Sequence, residues 1–402
     1  MEGKVFVTGL SVRDAGRIIS GPLPLAEGPI PDEIITAFRV ANLWREAHAH
    51  PMQSIRAVLM SWLYRHGIHG VTGARLKRMP AIRKKLQRLD PKLDKLQDLG
   101  GCRVILPSMA NLRTYSEILK EHLPHKPWKQ DLYIDHPKGD GYRCNHFIYE
   151  FNDKAGRDRY QGRRIEIQVR TRLQHSWATA VEAVGLFRGE YLKGGQGNED
   201  WRRLFKLISA EFAVAEGCPE AADVPAHEDR VREIVEIEQR LKAADILSSL
   251  ATAVRSIDFY VQPSRKPDYY LIRYHAEARQ VEVEPRYGRG AARAYFDVES
   301  INRAAGNEMN DVVLVAADKI DVLKQAYPNY FGDVTLFNSM LTKLVQRVPL
   351  SDFELKPQTK VRILPEERAD MSWMRRTARW TSLTVPVANP RKSGATKRKK
   401  NK

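Results

Sequence analysis

The sequence has few cysteines and no long apolar run, and these shortages exclude several classes of protein. Only three cysteines, Cys102, Cys144 and Cys218, occur among 402 residues. Three widely spaced thiols provide neither a disulfide framework nor the paired spacing of a zinc site. No apolar segment is long enough to span a bilayer, and the first residues lack the apolar centre of a secretory signal. We therefore expect a cytoplasmic protein with no membrane contact.

Acidic residues are missing from the end of the chain. Ten Lys and Arg residues follow Asp370 and no Asp or Glu does, within a formal net charge of +17 for the whole chain. Pro, Ser, Gly and Asn are interspersed among these cations, which is typical of a disordered segment. We predict that residues 371–402 form a disordered basic tail. Attraction to a polyanion and simple solubilisation explain its charge equally well.

Length and composition indicate two folded domains. A chain of 402 residues with 43% hydrophobic residues is long for one ordinary core. The segment CPEAADVPAHED, residues 218–229, has the prolines and small polar side chains that are typical of a domain boundary. We therefore place the first domain at residues 1–220 and a smaller α+β domain at residues 225–370.

Residues 163–182, RRIEIQVRTRLQHSWATAVE, change from one periodicity to another. An alternation of apolar and polar side chains predicts a strand with one polar face, made of Glu166, Gln168 and Arg170. Helical spacing begins after this strand, and His175 lies on the predicted helix. This polar face is typical of the floor of a site, although an exposed strand with a solvated face would give the same pattern.

A strongly basic segment precedes a second predicted strand. Residues 73–95 contain nine Lys and Arg residues, which indicates either a phosphate-binding helix or a solvated face. Asp98 follows this segment, and the apolar run GGCRVILP after it predicts a strand that contains Arg103. If this strand neighbours the strand of Glu166, Asp98 and Glu166 would form a suitable pair of ligands for a divalent cation.

The segment YIDHPKGDGYRCNHFIYEF, residues 133–151, predicts a loop followed by a strand. Gly139 and Gly141 allow a tight backbone, so that Tyr142 would be presented from the loop and could stack on a base. The alternative is a tyrosine that folds back onto the sheet.

Mixed helices and strands are predicted for the second domain. A long helix should run from about Asp229 to Val254. Strands are expected near residues 269–274, 281–285, 294–297 and 312–316, and a helix over 318–326.

Four of these segments, in this order, resemble the synthetase domain of the RelA/SpoT superfamily. They are the basic segment that begins at Arg75, DLGGCRVI, PKGDGYRCNH, and IEIQVRT with a later histidine. The resemblance implies an α/β (α+β) fold in which a mixed sheet is flanked by helices, related to nucleotidyltransferases. It also implies transfer of pyrophosphate from ATP to a ribose 3′-hydroxyl.

The resemblance assigns a role to each matching residue. The ATP-binding set is Arg75, Lys77, Lys84, Lys85 and Arg103. The acceptor-binding set is Lys138, Tyr142, Arg143, His146, Gln168, Arg170 and His175. Asp98 and Glu166 would hold Mg²⁺, and Glu166 would also take the proton of the attacking hydroxyl. Ala81 and Cys144 depart from the family, which usually has Ser at both positions.

The motif YPNY, with Tyr327 and Tyr330, resembles the CapRel group of toxic synthetases. In that group such tyrosines occupy the adenine site until a phage protein releases them, although two core aromatics would explain the motif equally well. We predict a toxin that pyrophosphorylates the 3′ end of tRNA under control of its own second domain, in phage defence. The alternatives are a (p)ppGpp synthetase that acts on GDP or GTP, and an inactive nucleotide-binding regulator.

Overall fold

The computed structural model describes residues 9–22, 31–89, 92–188, 190, 192, 195–253, 255–258, 269–275, 280–286, 311–316 and 334–354. The helices within these residues are α1 (Val12–Ser20), α2 (Asp32–Glu46), α3 (Ala49–Arg65), α4 (Met79–Leu89), α5 (Met109–His122), α6 (Arg172–Arg188), α7 (Glu199–Ala215), α8 (His227–Leu241), α9 (Ala243–Ala253) and α10 (Thr335–Val345). Across the described part of the chain, no helix combines the length and the apolar character needed to cross a membrane.

One mixed sheet contains all the described strands. These are β1 (Val71–Leu76), β2 (Gly100–Leu106), β3 (Lys126–Leu132), β4 (Asn145–Glu150), β5 (Arg164–Thr171), β6 (Arg255–Asp258), β7 (Tyr269–His275), β8 (Gln280–Arg286) and β9 (Asp311–Ala316). Their spatial order is β3-β4-β5-β2-β1-β9-β7-β8-β6. β2 pairs with β5 in parallel, as β6 does with β8, and the other pairs are antiparallel. The predicted mixed sheet flanked by helices is confirmed.

The alternation predicted for β5 decides which face of the sheet is buried. Ile165, Ile167 and Val169 are fully buried in a core that also contains Ile55 of α3 and Tyr115 of α5. Successive side chains of a strand point to opposite faces, so the polar residues of β5 point away from α3 and α5. We call this second face the site face.

A second core contains α6, α7, α8, α9 and α10. Phe337 of α10 lies with its ring centroid 5.5 Å from that of Phe205 and 5.9 Å from that of Phe212, both on α7. Ile234 of α8 and Leu247 of α9 are buried in the same cluster. The apolar packing is therefore continuous across residues 220–225, and the pairing of β1 with β9 also joins strands from both sides. The division into two domains stays a prediction from sequence.

The helix predicted from Asp229 to Val254 is wrong as a single element, because α8 and α9 are separate. Lys242 between them has φ 49° and ends α8 in the left-handed conformation. A residue in this conformation cannot continue a right-handed helix, and apolar spacing gives no sign of it. The strand predicted at 294–297, the helix at 318–326, Tyr327, Tyr330 and the tail at 371–402 lie outside the described residues.

Candidate active site

Polar side chains from four adjacent strands meet on the site face. β4, β5, β2 and β1 are consecutive in the sheet. Gln168 on β5 lies opposite His146 on β4 and opposite Arg103 on β2, while Glu166 and Arg75 pair with the same residue of β2 from either side. Residues in register point to the same face. The strand order thus brings together residues that are up to 93 positions apart in the sequence.

A chain of hydrogen bonds crosses β4 and β5 at Glu166. The His146 Nδ1 atom lies 2.8 Å from Glu166 Oε1, and Gln168 Nε2 donates to Glu166 Oε2 at 2.8 Å. The other His146 nitrogen, Nε2, lies 2.8 Å from the Tyr142 hydroxyl oxygen. Both carboxylate oxygens of Glu166 are therefore fixed, and His146 is held between an acid and a phenol.

The environment favours an ionised Glu166 beside a protonated His146. Burial alone would raise the pKa of Glu166, but the hydrogen bond and charge of His146 outweigh it and lower that pKa. Burial also opposes the charged form of His146, yet the Cys144 sulfur and the Glu166 carboxylate raise the pKa of His146 to about 10. A doubly protonated ring can donate to both Glu166 and Tyr142, which fits the two contacts of His146.

Asp98 lies between two lysines just before β2. Its Oδ2 atom accepts from Lys77 Nζ at 2.9 Å and from Lys85 Nζ at 2.8 Å. Burial would raise the pKa of Asp98, but the two ammonium groups outweigh it and lower that pKa to about 2. Burial in turn lowers the pKa of Lys77. The result is a carboxylate that stays ionised, with two cations next to it.

The free oxygen of Asp98 identifies a position suited to a cation. Asp98 Oδ1 is buried and accepts no hydrogen bond among the described residues. The negative charge of Asp98 acts on Glu166 by raising its pKa, so the two carboxylates are electrostatic neighbours. No group of three or more His, Cys, Asp and Glu within the described ranges could hold a metal. Two carboxylates fit Mg²⁺, which takes its other ligands from water and phosphate.

Residues 74–188 match the family described as "Region found in RelA / SpoT proteins". This segment of the chain is similar to that family, and the match does not extend beyond it. The GTP pyrophosphokinase of Escherichia coli (strain K12) is 26% identical over 187 residues, which cover 44% of this chain and 24% of that protein. GTP pyrophosphokinase YwaC of Bacillus subtilis (strain 168) is 29% identical over 114 residues, 27% of this chain and 54% of that protein. The chain thus spans about a quarter of the length of the Escherichia coli protein and about half of the length of the Bacillus subtilis protein.

Solved structures of small alarmone synthetases are also similar to part of the chain. The crystal structure of small alarmone synthetase 1 from Bacillus subtilis bound to its product pppGpp covers 52% of this chain and 99% of that chain, at 20% identity and a TM-score of 0.36. Small alarmone synthetase 2 from the same organism covers 42% and 91%, at 21% identity and a TM-score of 0.35. At these values the likeness carries no functional argument.

Four of the five predicted ATP-binding residues are on three elements, and Lys77 directly follows β1. Arg75 is on β1 and Arg103 on β2, where its side chain is largely buried. Lys84 and Lys85 are both on α4, but it is Lys85 that contacts Asp98, while Lys84 is exposed. The helical repeat explains this difference, because adjacent residues point about 100° apart around the axis.

Tyr142 is not exposed on the loop as predicted, because its ring is buried in the second core. Tyr142 is 9% exposed, and its ring centroid lies 6.3 Å from that of Trp177 on α6. Lys138 from the same loop is exposed and places its Nζ 4.3 Å above the Tyr133 ring. The alternative reading of the sequence, a tyrosine folded back onto the protein, is the arrangement observed, so stacking on a base would require the loop to move.

Arg143 is also placed differently from the prediction. Its Nη1 atom lies 3.0 Å from Glu216 Oε2, and both side chains are 3% exposed. Glu216 additionally accepts from Gln174 Nε2 at 2.9 Å and from the Thr171 hydroxyl. Arg143 is therefore not available to an acceptor phosphate in this structure, because a buried carboxylate already pairs with it.

Arg170 and His175 are the remaining predicted acceptor-binding residues. Both are buried, Arg170 near the end of β5 and His175 on α6. Burial raises the pKa of Tyr142, and the positive charge of Arg170 opposes this shift. Burial also opposes ionisation of Cys144, but His146 and Arg170 outweigh it and lower the pKa of Cys144. Arg170 is thus close enough to act electrostatically on Tyr142 and Cys144, and its role in acceptor binding stays a prediction.

Two residues near the site are not among those that the sequence predicted. Glu216 lies at the end of α7 and is joined to Arg143 although 73 positions separate them. Tyr133 lies with its ring centroid 5.4 Å from the His146 ring, in an edge contact. No local periodicity distinguishes Glu216 from the other acids of the chain. Tyr133 lies in the predicted loop, and its aromatic ring is the signal that could have identified it.

Proposed function

We propose that this chain is a pyrophosphokinase that transfers the two terminal phosphates of ATP to a ribose 3′-hydroxyl. The observation that carries the proposal is an ionised Asp98, bound by Lys77 and Lys85, near an ionised Glu166 that pairs with His146, inside the segment that matches the RelA/SpoT family. A polyphosphate needs cations to compensate its charge, and the site supplies them from β1 to α4. The relatives named GTP pyrophosphokinase support the same reaction class.

The steps of the reaction follow from these groups. The acceptor oxygen attacks the β-phosphorus of ATP, the bond from that phosphorus to the α-phosphate oxygen breaks, and AMP leaves. Glu166 takes the proton of the 3′-hydroxyl, because its lowered pKa keeps it ionised at neutral pH. Gln168 and His146 hold its two oxygens, so that the carboxylate cannot rotate away. Arg75 and Arg103 would bind the adenine.

Lys77 and Lys85 have a second role on the donor side. In this structure both ammonium groups are bound to Asp98. The oxygens of the triphosphate would compete for these two ammonium groups. ATP binding would therefore free the Asp98 carboxylate to hold Mg²⁺. Mg²⁺ would be held by Asp98 and Glu166 and, when bound, would neutralise charge on the transferred group. Because these side chains are buried, each charge needs a partner of opposite sign, which explains why lysines and carboxylates occur together in the site.

Two acceptors remain candidates because a different observation favours each. The names of the relatives favour GDP or GTP. The net charge of +17 favours the 3′ end of tRNA, since attraction to a polynucleotide grows with the number of cations near its phosphates. A toxic role in phage defence and a phage-protein trigger belong to the tRNA candidate and rest on Tyr327 and Tyr330, which the described ranges do not include.

Transfer of label from γ-labelled ATP tests the function and the acceptor together. The full chain is incubated with Mg²⁺, labelled ATP and either GDP, GTP or bulk tRNA. We expect label on one acceptor class, and Glu166→Gln should lower the rate by at least about 100-fold because the proton acceptor is lost. Glu117→Gln, an exposed acid on α5, is the matched control and should retain full activity. ATP binding without transfer to any acceptor would instead support an inactive regulator.

A further inference from the structure

An exposed tryptophan lies on the edge strand of the sheet. Trp128 of β3 has 45% of its surface exposed. The Arg164 guanidinium carbon of β5 is 3.7 Å from the centroid of its ring, so that a cation covers the ring. A stacked guanidinium fixes the orientation of an indole ring that would otherwise rotate freely. The pair is an ordered flat surface at the boundary of the protein.

This surface is on the site face, close to Glu166. Lys126 pairs with Glu150 and Glu150 with Arg164, so these three side chains share a face. Arg164 precedes Glu166 by two residues on β5, and two residues of a strand span about 7 Å on one face. The register shift between Pro127 and Lys129 marks a bulge at Trp128, which explains how its ring reaches over to Arg164.

Around Trp128, Lys126 and Arg164 share one carboxylate and leave an excess of positive charge, while Lys129 pairs with Asp131. The Glu150 carboxylate forms ion pairs with both Lys126, at 3.3 Å, and Arg164, at 3.4 Å. The Lys126 side chain is 72% exposed. Pro127, the bulge and the lysines of β3 disfavour the addition of another strand at this edge. The features suit a ligand with a flat ring and phosphates rather than a peptide.

We propose that the Trp128–Arg164 surface binds a nucleobase of single-stranded RNA whose 3′-terminal ribose lies at Glu166. Every base has a face that can stack on an aromatic ring, and neighbouring lysines suit the phosphates of the strand. The terminal nucleotide occupies the acceptor site, and the nucleotide next to it stacks on Trp128. A free mononucleotide bound in the acceptor site would be too short to contact Trp128. The placement of the ribose at Glu166 rests on the proposed function. Of the two candidate acceptors, the Trp128–Arg164 surface selects the polynucleotide.

Binding of a labelled RNA hexamer with a free 3′-hydroxyl tests this surface. Fluorescence anisotropy with the full chain, in the absence of ATP, gives the Kd. We expect Trp128→Ala to weaken hexamer binding by about 5- to 100-fold, and Trp128→Phe, which keeps a ring, to weaken it less. Tyr64→Ala removes an aromatic of α3 that is 64% exposed and belongs to the opposite face, and it should leave the Kd unchanged.

A scan with abasic residues locates the stacked base without changing the protein. Each hexamer in the scan lacks the base at one position. The wild-type protein should bind most weakly to the hexamer that lacks the base of the penultimate nucleotide, the one next to the 3′-terminal nucleotide. Trp128→Ala should then cause no additional loss with that hexamer, because both changes remove the same contact. Equal losses at all positions, or hexamer binding that Trp128→Ala leaves intact, would overturn the proposal.

The outcome is separate from that of the transfer reaction. Binding is measured without ATP, so a protein that transfers nothing can still show the Trp128 effect. Conversely, transfer to GDP that depends on Glu166, together with hexamer binding independent of Trp128, would keep the pyrophosphokinase and overturn the RNA surface.

Discussion

Arg143 and Glu216 connect the loop before β4 with the end of α7 through two side chains that are each 3% exposed. Such a pair is costly to bury, and it persists only when both charges are compensated. Thr171 and Gln174 complete the compensation by donating to Glu216. At the scale of single residues, Arg143 therefore has a structural role that its position in a phosphate-binding motif would not reveal.

Arg143→Met should lower the free energy of unfolding by about 3–5 kcal/mol, because Glu216 would keep its charge in a buried position without a cation. Urea unfolding of the full chain measures the change. Arg232→Met breaks an exposed ion pair with Asp229 on α8 and is the matched control, with an expected loss below about 1 kcal/mol. Equal stability of the two variants, with a raised KM for the acceptor only in Arg143→Met, would assign Arg143 to acceptor binding.

At the scale of elements, the loop of residues 133–144 also packs closely against α7 at Gly141. Gly141 has φ +89°, and a Cβ at this position would lie 3.0 Å from Ser209 Cβ and 3.2 Å from Lys206 Cα. The Ser209 hydroxyl donates to the Gly141 carbonyl oxygen. Only glycine suits both the backbone and the contact. Gly139 and Gly141 are indistinguishable in the sequence, but the space around Gly139 is open.

Gly141→Ala should destabilise the protein by about 1–3 kcal/mol, because the new methyl group meets α7 and the backbone is strained. The transfer rate should also fall, since Tyr142 is the next residue and contacts His146. Gly139→Ala is the control, and its stability should stay within about 0.5 kcal/mol of wild type. Thermal unfolding and the transfer assay measure both effects. A Gly141→Ala protein with wild-type stability would show that the loop is not held against α7.

At the scale of the whole molecule, helices from before and after residue 220 share one core. Phe337 is fully buried and contacts two phenylalanines of α7, the helix whose end carries Glu216. The second core also includes Tyr142, which bonds to His146 in the site. In a close-packed core, the removal of one side chain disturbs the packing of its neighbours. We therefore expect the region after residue 225 to influence the site through packing.

Phe337→Ala should lower the free energy of unfolding by about 3–5 kcal/mol through the cavity that it leaves. It should also lower the transfer rate although Phe337 does not line the site. Val348→Ala, at a position 45% exposed, is the control and should change neither quantity. A protein of residues 1–220 that folds with undiminished stability would contradict this expectation and would support two independent domains.

Local patterns in the sequence predicted those parts of the fold that depend on local physics. The alternation of β5 showed which face is polar, because strand geometry alone sends successive side chains to opposite sides. The order of four motifs indicated the RelA/SpoT region that the family match confirms. The left-handed Lys242 was missed, because its conformation leaves the apolar spacing of α8 and α9 unchanged.

The sequence by itself therefore determined the amphipathic strands, the polar row containing Glu166 and Gln168, and the basic segment before Asp98. Only the tertiary structure decided which lysine meets Asp98, that Arg143 pairs with Glu216, and that Tyr142 belongs to a core. The physical reason is the range of the interactions. Periodicity reports on neighbours within a few residues, whereas these pairings join side chains whose meeting depends on how the whole sheet and its helices pack.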